Sequence, residues 1–116
     1  MTMTKLTNND YANMYGLPFL CQDNVGMDIG RMNGIKGNWI RIKYTEYNSG
    51  RWYEIKNCKP ILRTLDQLSE EEIIHLGKYE RFRVLEEIKL GLDVYHLIYQ
   101  GLAIKYDKKE HGEYFG

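Results

Sequence analysis

The sequence predicts an α+β protein whose strands come first and whose helices come second. Apolar and polar residues alternate with the period of a strand before residue 63, and the pattern changes to a helical period after Ser69. A short apolar segment near the end predicts a strand that returns to the sheet. The chain has 116 residues, a length that fits a single domain with one core.

The chain divides into four parts on its composition and periodicity. Residues 1–14 are polar and aperiodic and predict a flexible or loosely docked arm. Residues 15–63 form the β-rich part, residues 64–101 the helical part, and residues 102–116 the closing strand and a polar tail.

The β-rich part predicts a small, twisted antiparallel sheet. Residues 17–21 indicate a strand, and the glycine-rich residues 23–38 indicate turns that join short strands. The glycine spacing fits neither of the common phosphate-binding loops, so phosphate binding is only a minor alternative. Closure of the sheet into a partial barrel is a second open alternative.

Residues 39–44 alternate most clearly. Ile40, Ile42 and Tyr44 fall on one face, which we expect to face the core, while Trp39, Arg41 and Lys43 fall on the other. Asn48, Ser49 and Gly50 then predict a hairpin turn, because they accept positive φ angles between two aromatic-rich strands.

Three short helices are expected in the helical part. Ser69 as N-cap with Glu72 three residues later predicts the first helix, which ends at Gly77. Phe82, Leu85 and Ile88 recur at three-residue spacing and predict the second, which ends at Gly91. The third covers residues 94–100, with Asp93 as its cap and Gly101 after its end.

Charge is divided unevenly along a chain whose formal net charge is zero. Through Arg63 the chain has nine basic and five acidic side chains, a net of +4. From Thr64 it has seven basic and eleven acidic side chains, a net of −4. The zero total argues against a non-specific nucleic-acid binder. The asymmetry fits a macromolecular partner, but separate solvated surfaces on the two halves explain it at least as well.

The sequence contains no HExxH motif. His75, His96 and His111 are predicted to lie on different elements, and Cys21 and Cys58 do not have metal-ligand spacing. Structural roles for the cysteines and for His75 and His96 are therefore favoured. We expect no catalytic residue, no metal and no cofactor, with a small enzyme such as a nuclease as the weakest alternative.

The strongest binding signal is a set of basic and aromatic residues in the predicted hairpin. Its members are Trp39, Arg41, Lys43, Tyr47, Arg51, Trp52 and Tyr53. The plain interpretation is that the aromatics belong to the core and the basic residues are solvated. A protein interface ranks second, because Tyr, Trp and Arg concentrate binding energy. A surface for single-stranded RNA or DNA ranks third.

Two segments are similar to segments of small proteins encoded by phages and prophages. The first is Lys59-Pro60-Ile61-Leu62-Arg63 with Leu65, and the second is Asp93-Val94-Tyr95-His96-Leu97-Ile98 with Gly101-Leu102-Ala103-Ile104. The longer stretches that contain them, residues 58–72 and 93–107, together cover about a quarter of the chain. Thr64 stands where the resembled proteins usually have a second proline.

The resemblance implies a setting rather than a mechanism. Small mobile-element proteins include inhibitors of host defence, such as anti-CRISPR proteins, which occlude a nuclease or its guide RNA. The resemblance therefore implies a non-enzymatic accessory protein that binds and inhibits a host protein or ribonucleoprotein, with RNA itself as a further partner class. The absence of a signal-peptide pattern and of a long apolar run predicts a cytoplasmic protein with no membrane partner. The sequence does not predict the oligomeric state.

Overall fold

The computed structural model describes residues 6–43, 50–78 and 83–115 of the chain. Its strands are β1 (Pro18–Gln22), β2 (Met27–Lys36), β3 (Trp39–Lys43), β4 (Gly50–Glu54), β5 (Cys58–Leu62) and β6 (Ile104–Lys105). Its helices are α1 (Asn8–Asn13), α2 (Glu70–Leu76), α3 (Arg83–Lys89) and α4 (Lys108–His111), with 3₁₀ turns at Ile55–Asn57 and Leu65–Gln67. The predicted α+β class is confirmed.

The strands form one sheet in the order β4-β3-β2-β1-β5-β6. All neighbours are antiparallel except β5 and β6, which run parallel. β4 is an edge strand, whereas β5 lies next to β1, beyond β3 and β2. The short 3₁₀ turn Ile55–Asn57 connects these two strands. No hydrogen-bonded ladder joins β4 to β5 within the described residues, so the sheet remains open and is not a closed barrel.

One face of the sheet carries the core. Ile40 lies opposite Tyr53 and Ile42 lies opposite Met32, and all four side chains are buried. This confirms the predicted core side of β3 for Ile40 and Ile42, whereas Tyr44 lies outside the described residues. Phe19, Cys21 and Cys58 extend the same core across β1 and β5.

The glycine-rich segment after β1 is mostly strand, so its prediction as turns was wrong. β2 has ten residues and contains an irregularity in register between Met32 and Gly34. Its glycines allow close approach between strands: a Cβ atom at Gly30 would lie 2.7 Å from the carbonyl oxygen of Lys43. Because these glycines interrupt the alternation of side chains, the period of the strand was hidden in the sequence.

The N-terminal segment is helical where the structure describes it. Thr7 and Asp10 form a reciprocal capping box at the start of α1. Met14 follows the helix and is buried, and Tyr11 packs against the core. Residues 6–14, predicted to belong to a flexible or loosely docked arm, thus include a capped helix that packs against the core. Residues 1–5 lie outside the described part.

The first two predicted helices are present. α2 begins after Ser69, whose hydroxyl accepts a hydrogen bond from the backbone N–H of Glu72, and it ends before Gly77. α3 contains the predicted Leu85 and Ile88, while Phe82 lies outside the described residues.

The predicted third helix does not form, and the chain instead makes a series of turns after Asp93. The Asp93 carboxylate accepts hydrogen bonds from the N–H groups of Leu97 at 2.7 Å and Ile98 at 2.9 Å. His96 has a φ of +56°, a left-handed conformation that cannot continue an α-helix. Asp93 thus stabilises a turn with the hydrogen bonds that we had assigned to a helix cap.

The two segments that carry the resemblance lie against each other. The N–H of Asp93 donates to the carbonyl oxygen of Arg63 at 2.9 Å, and Ile61 pairs with Ile104 between β5 and β6. The returning strand is confirmed, although it has only two residues. The matching segments therefore build the frame of the fold. No helix within the described residues is long and apolar enough to cross a membrane.

Candidate binding surface

Four of the predicted binding residues lie together on the face of β3 and β4 that points away from the core. Arg41 lies directly opposite Trp52. Trp39 and Lys43 share the face of Arg41, because alternate residues of a strand point to the same side. Trp39 is 46% exposed and Trp52 is 44% exposed. We call these four residues the tryptophan face.

The other three predicted residues do not belong to this surface. Tyr53 is 1% exposed on the core side, where its hydroxyl donates to the Asp28 carboxylate. Arg51 is on the same side and forms a 2.8 Å ion pair with Asp23. Their assignment to one binding surface with Trp52 is therefore wrong, because the strand alternates sides at each residue. Tyr47 lies outside the described residues.

Two glycines make room for the side chains of the tryptophan face. A Cβ atom at Gly34 would lie 3.3 Å from the ring of Trp52 and 3.4 Å from the Cβ of Arg41. A Cβ atom at Gly50 would lie 2.4 Å from Nε of Arg41. The Trp52 ring thus extends towards β2, and the Arg41 guanidinium extends along β4. A larger residue at either position would have to displace one of these side chains.

Two further lysines extend the positive charge of this face. Lys36 on β2 lies opposite Trp39, and Lys59 on β5 lies opposite Leu20 of β1. Neither lysine was predicted from the sequence to belong to the binding surface. The signal for Lys36 was its position in β2, which we had interpreted as turns, and Lys59 could be placed only once the strand order was known.

A solvent-open cleft of about 790 Å³ borders the tryptophan face. Trp39 and Trp52 line it together with Leu20 and Lys59. Glu54, which also lines the cleft, pairs with Lys56 at 3.3 Å. Flat apolar rings and exposed ammonium groups therefore meet in one accessible depression.

The two cysteines lie inside the core. Cys21 and Cys58 lie directly opposite each other on β1 and β5, and both are buried and free. A hydrogen bond with Cys58 and burial raise the pKa of the Cys21 thiol well above its usual range. A thiolate is the reactive form of cysteine, so Cys21 is a poor nucleophile at neutral pH.

The histidines lie apart from the tryptophan face. His75 Nε2 on α2 lies 3.7 Å from a carboxylate oxygen of Glu86 on α3. His96 is exposed in its turn, and His111 accepts a hydrogen bond from the N–H of Asp107. No group of three or more His, Cys, Asp or Glu side chains among the described residues has the arrangement of a metal site.

Comparison of the chain with protein-family models, curated proteins and solved structures found no match. The function must therefore be inferred from the residues and their geometry. The feature with the clearest binding chemistry is the tryptophan face, where two half-exposed indoles lie beside Arg41 and Lys43.

Proposed function

We propose that this protein is a non-enzymatic binding protein whose working surface is the tryptophan face. The observation that carries the proposal is that Trp39 and Trp52 remain about half exposed, while the apolar side chains on the other face of β3 and β4 are buried. Exposed indoles lose hydrophobic stabilisation in water, and tryptophan and arginine dominate the energy of binding surfaces. A macromolecular partner that covers these rings would recover that free energy.

Occlusion of a host macromolecule is the activity that we propose for this surface. The resemblance to small phage and prophage proteins supports this class, with a defence nuclease or its guide-RNA complex as target, in the manner of an anti-CRISPR protein. The cytoplasm of a bacterial host is the corresponding location. The positive charge of Arg41 and Lys43 on the tryptophan face supports a target with exposed negative charge, because complementary charges steer association.

The proposal is tested by comparing two tagged double variants with the wild-type protein. Arg41→Glu with Trp52→Ala alters the tryptophan face. Lys78→Glu with Tyr99→Ala makes comparable changes at exposed positions just after α2 and in the turn after Asp93. Thermal unfolding of each variant establishes that it is folded.

Bound protein and RNA are then captured from the bacterial host and identified. We expect the wild type and the control variant to retain the same partner and the tryptophan-face variant to lose it. Retention of an identical set of partners by all three proteins would show that the surface assignment is wrong.

A further inference from the structure

The charge balance of the tryptophan face differs from that of the whole chain. Four basic side chains on this side of the sheet form no ion pair with an acid among the described residues: Lys36, Arg41, Lys43 and Lys59. The two nearby acids that line the cleft are already paired, Glu54 with Lys56 and Asp23 with Arg51. The surface is therefore positive although the chain is neutral.

The aromatic groups of this surface are arranged as neighbours. Trp39 lies opposite Glu54, two residues from Trp52, so the two indoles are diagonal neighbours on adjacent strands. Diagonal positions on one face of an antiparallel pair are about 7 to 8 Å apart and within reach of aromatic side chains. Both rings line the same cleft. One extended ligand can therefore contact both.

We infer that the ligand of the tryptophan face is a single-stranded nucleic acid, whose bases stack on Trp39 and Trp52 while its phosphates contact the unpaired basic side chains. The inference rests on the proposed function and names its partner class. Single-strand-binding proteins combine a positive groove, which binds the anionic backbone, with aromatic side chains, on which the π-face of any base can stack. A duplex hides its base faces, so it cannot use the indoles.

The packing around the two key side chains supports this ligand over a purely electrostatic one. Gly34 and Gly50 leave space in which the Trp52 ring and the Arg41 guanidinium are placed beside the sheet. Because part of the Trp52 ring lies against Gly34, the ring has less conformational freedom to lose when a base stacks on it. RNA and DNA single strands share this chemistry, and the experiment separates them.

The test measures binding of fluorescent oligonucleotides of about twelve nucleotides, which is within the range of about 4 to 16 that small single-strand-binding domains cover. The three probes are oligouridine, oligothymidine and a DNA duplex of the same length. Fluorescence anisotropy is recorded between about 50 and 200 mM salt, the range in which counterion release changes affinity strongly. The full chain is used throughout.

We expect both single strands to bind and the duplex to bind at least about tenfold more weakly. Contact with four basic side chains predicts a slope of about −3 in log affinity against log salt, since each neutralised phosphate of a single strand contributes about −0.7. Binding of the duplex as tight as that of both single strands, or no binding of either single strand at low salt, would overturn the inference.

Two variants separate stacking from charge. Trp52→Ala should weaken binding by about 5-fold to 150-fold with an unchanged salt slope, because stacking on one aromatic side chain is worth about 1 to 3 kcal/mol. Lys43→Gln should make the salt slope shallower by about 0.7, and Lys78→Gln, just after α2, should leave it unchanged. Equal effects of Lys43→Gln and Lys78→Gln would also contradict the inference.

The outcome distinguishes this inference from the function on which it rests. If oligonucleotides do not bind, but a captured host protein depends on Trp52, the partner class is wrong and the surface assignment stands. If neither oligonucleotides nor a captured partner depend on Trp52, both are wrong. Preference between oligouridine and oligothymidine identifies which of the two nucleic acids the surface favours.

Discussion

Arg63 at the end of β5 and Glu72 in the first turn of α2 form a two-pronged ion pair. Nη1 donates to one carboxylate oxygen at 2.9 Å and Nη2 donates to the other at 2.6 Å. Arg63 is 5% exposed, and its guanidinium also donates to the carbonyl oxygen of Leu90 and lies 4.3 Å from the centre of the Phe115 ring. One buried cation thus joins the sheet, two helical elements and the C-terminal tail.

Glu72→Gln should lower the free energy of unfolding by about 3 kcal/mol, because it leaves the buried Arg63 guanidinium without its counter-charge. Urea unfolding at neutral pH measures the change. Glu70→Gln is the matched control: Glu70 lies in the same first turn but is exposed, and we expect a loss below about 1 kcal/mol. Equal losses in the two variants would contradict the role of the ion pair.

Protonation of Glu72 in acid should also lower the free energy of unfolding, because it weakens the ion pair with Arg63. The hydrogen bonds from Arg63 lower the pKa of Glu72 to about 2 from an ordinary value of 4.5. A depressed folded-state pKa stabilises the protein above the unfolded-state value, so the contribution is complete above about pH 4.5 and is lost as pH falls towards 2. Denaturant midpoints measured across this window should change less in Glu72→Gln than in the wild type. An identical pH response in both proteins would exclude Glu72 as the cause.

Gly91→Ala should destabilise the protein more than Gly101→Ala. The two glycines have nearly the same positive φ, +75° and +76°, so alanine has the same backbone cost of about 1 kcal/mol at each. A Cβ atom at Gly91 would lie 2.4 Å from the Phe115 ring, whereas a Cβ atom at Gly101 has no neighbour within 4 Å. We expect Gly91→Ala to cost about 1 to 2 kcal/mol more in thermal unfolding.

Phe115→Ala separates the backbone cost of alanine at Gly91 from the cost of its clash with the Phe115 ring. Without the ring, the difference between alanine at Gly91 and alanine at Gly101 should largely disappear. A difference that persists without Phe115 would mean that the C-terminal tail does not pack where the structure places it.

His96→Gly should raise the free energy of unfolding by about 0.5 kcal/mol. The left-handed backbone of His96 costs about 1 to 2 kcal/mol, and the greater flexibility of unfolded glycine offsets part of the gain. His96→Val should lower stability, because a β-branched side chain tolerates this conformation worst. Urea unfolding of the pair gives the order, and a stabilising valine would contradict the turn.

The native Cys21 thiol should react with iodoacetamide only when the protein opens. Cys21 is fully buried, and its pKa is raised by hydrogen bonding and burial. Mass spectrometry should therefore show labelling of Cys21 that accelerates with urea in step with unfolding. Rapid and complete labelling of Cys21 in native buffer would exclude the buried position of this thiol.

The sequence predicted those parts of the fold that depend on local chemistry. The α2 cap of Ser69 with Glu72 and the alternation of Ile40 with Arg41 each have a short-range physical cause, and both are present. β2 was missed because its glycines are needed for close packing against neighbouring strands, and that packing is not visible in the local sequence. The turn after Asp93 was missed because one carboxylate can cap either a helix or a turn.

The candidate surface was predictable only in part for a similar reason. Alternation placed Trp39, Arg41 and Lys43 on one side, whereas burial of Tyr53 depends on the core that β1 and β2 complete. The contribution of Lys36 and Lys59 required the order of the strands, which the sequence does not encode locally.

The most direct measurement of the central claim is a titration of the ¹⁵N-labelled protein with a single-stranded oligonucleotide, followed by NMR. The chain has two tryptophans, so its two indole N–H signals report on Trp39 and Trp52 individually. We predict that both signals shift together with backbone amides of β2, β3 and β4, while the amides of α2 and α3 remain in place. Shifts confined to α2 and α3, with both indole signals unchanged, would contradict the assignment of the tryptophan face as the working surface.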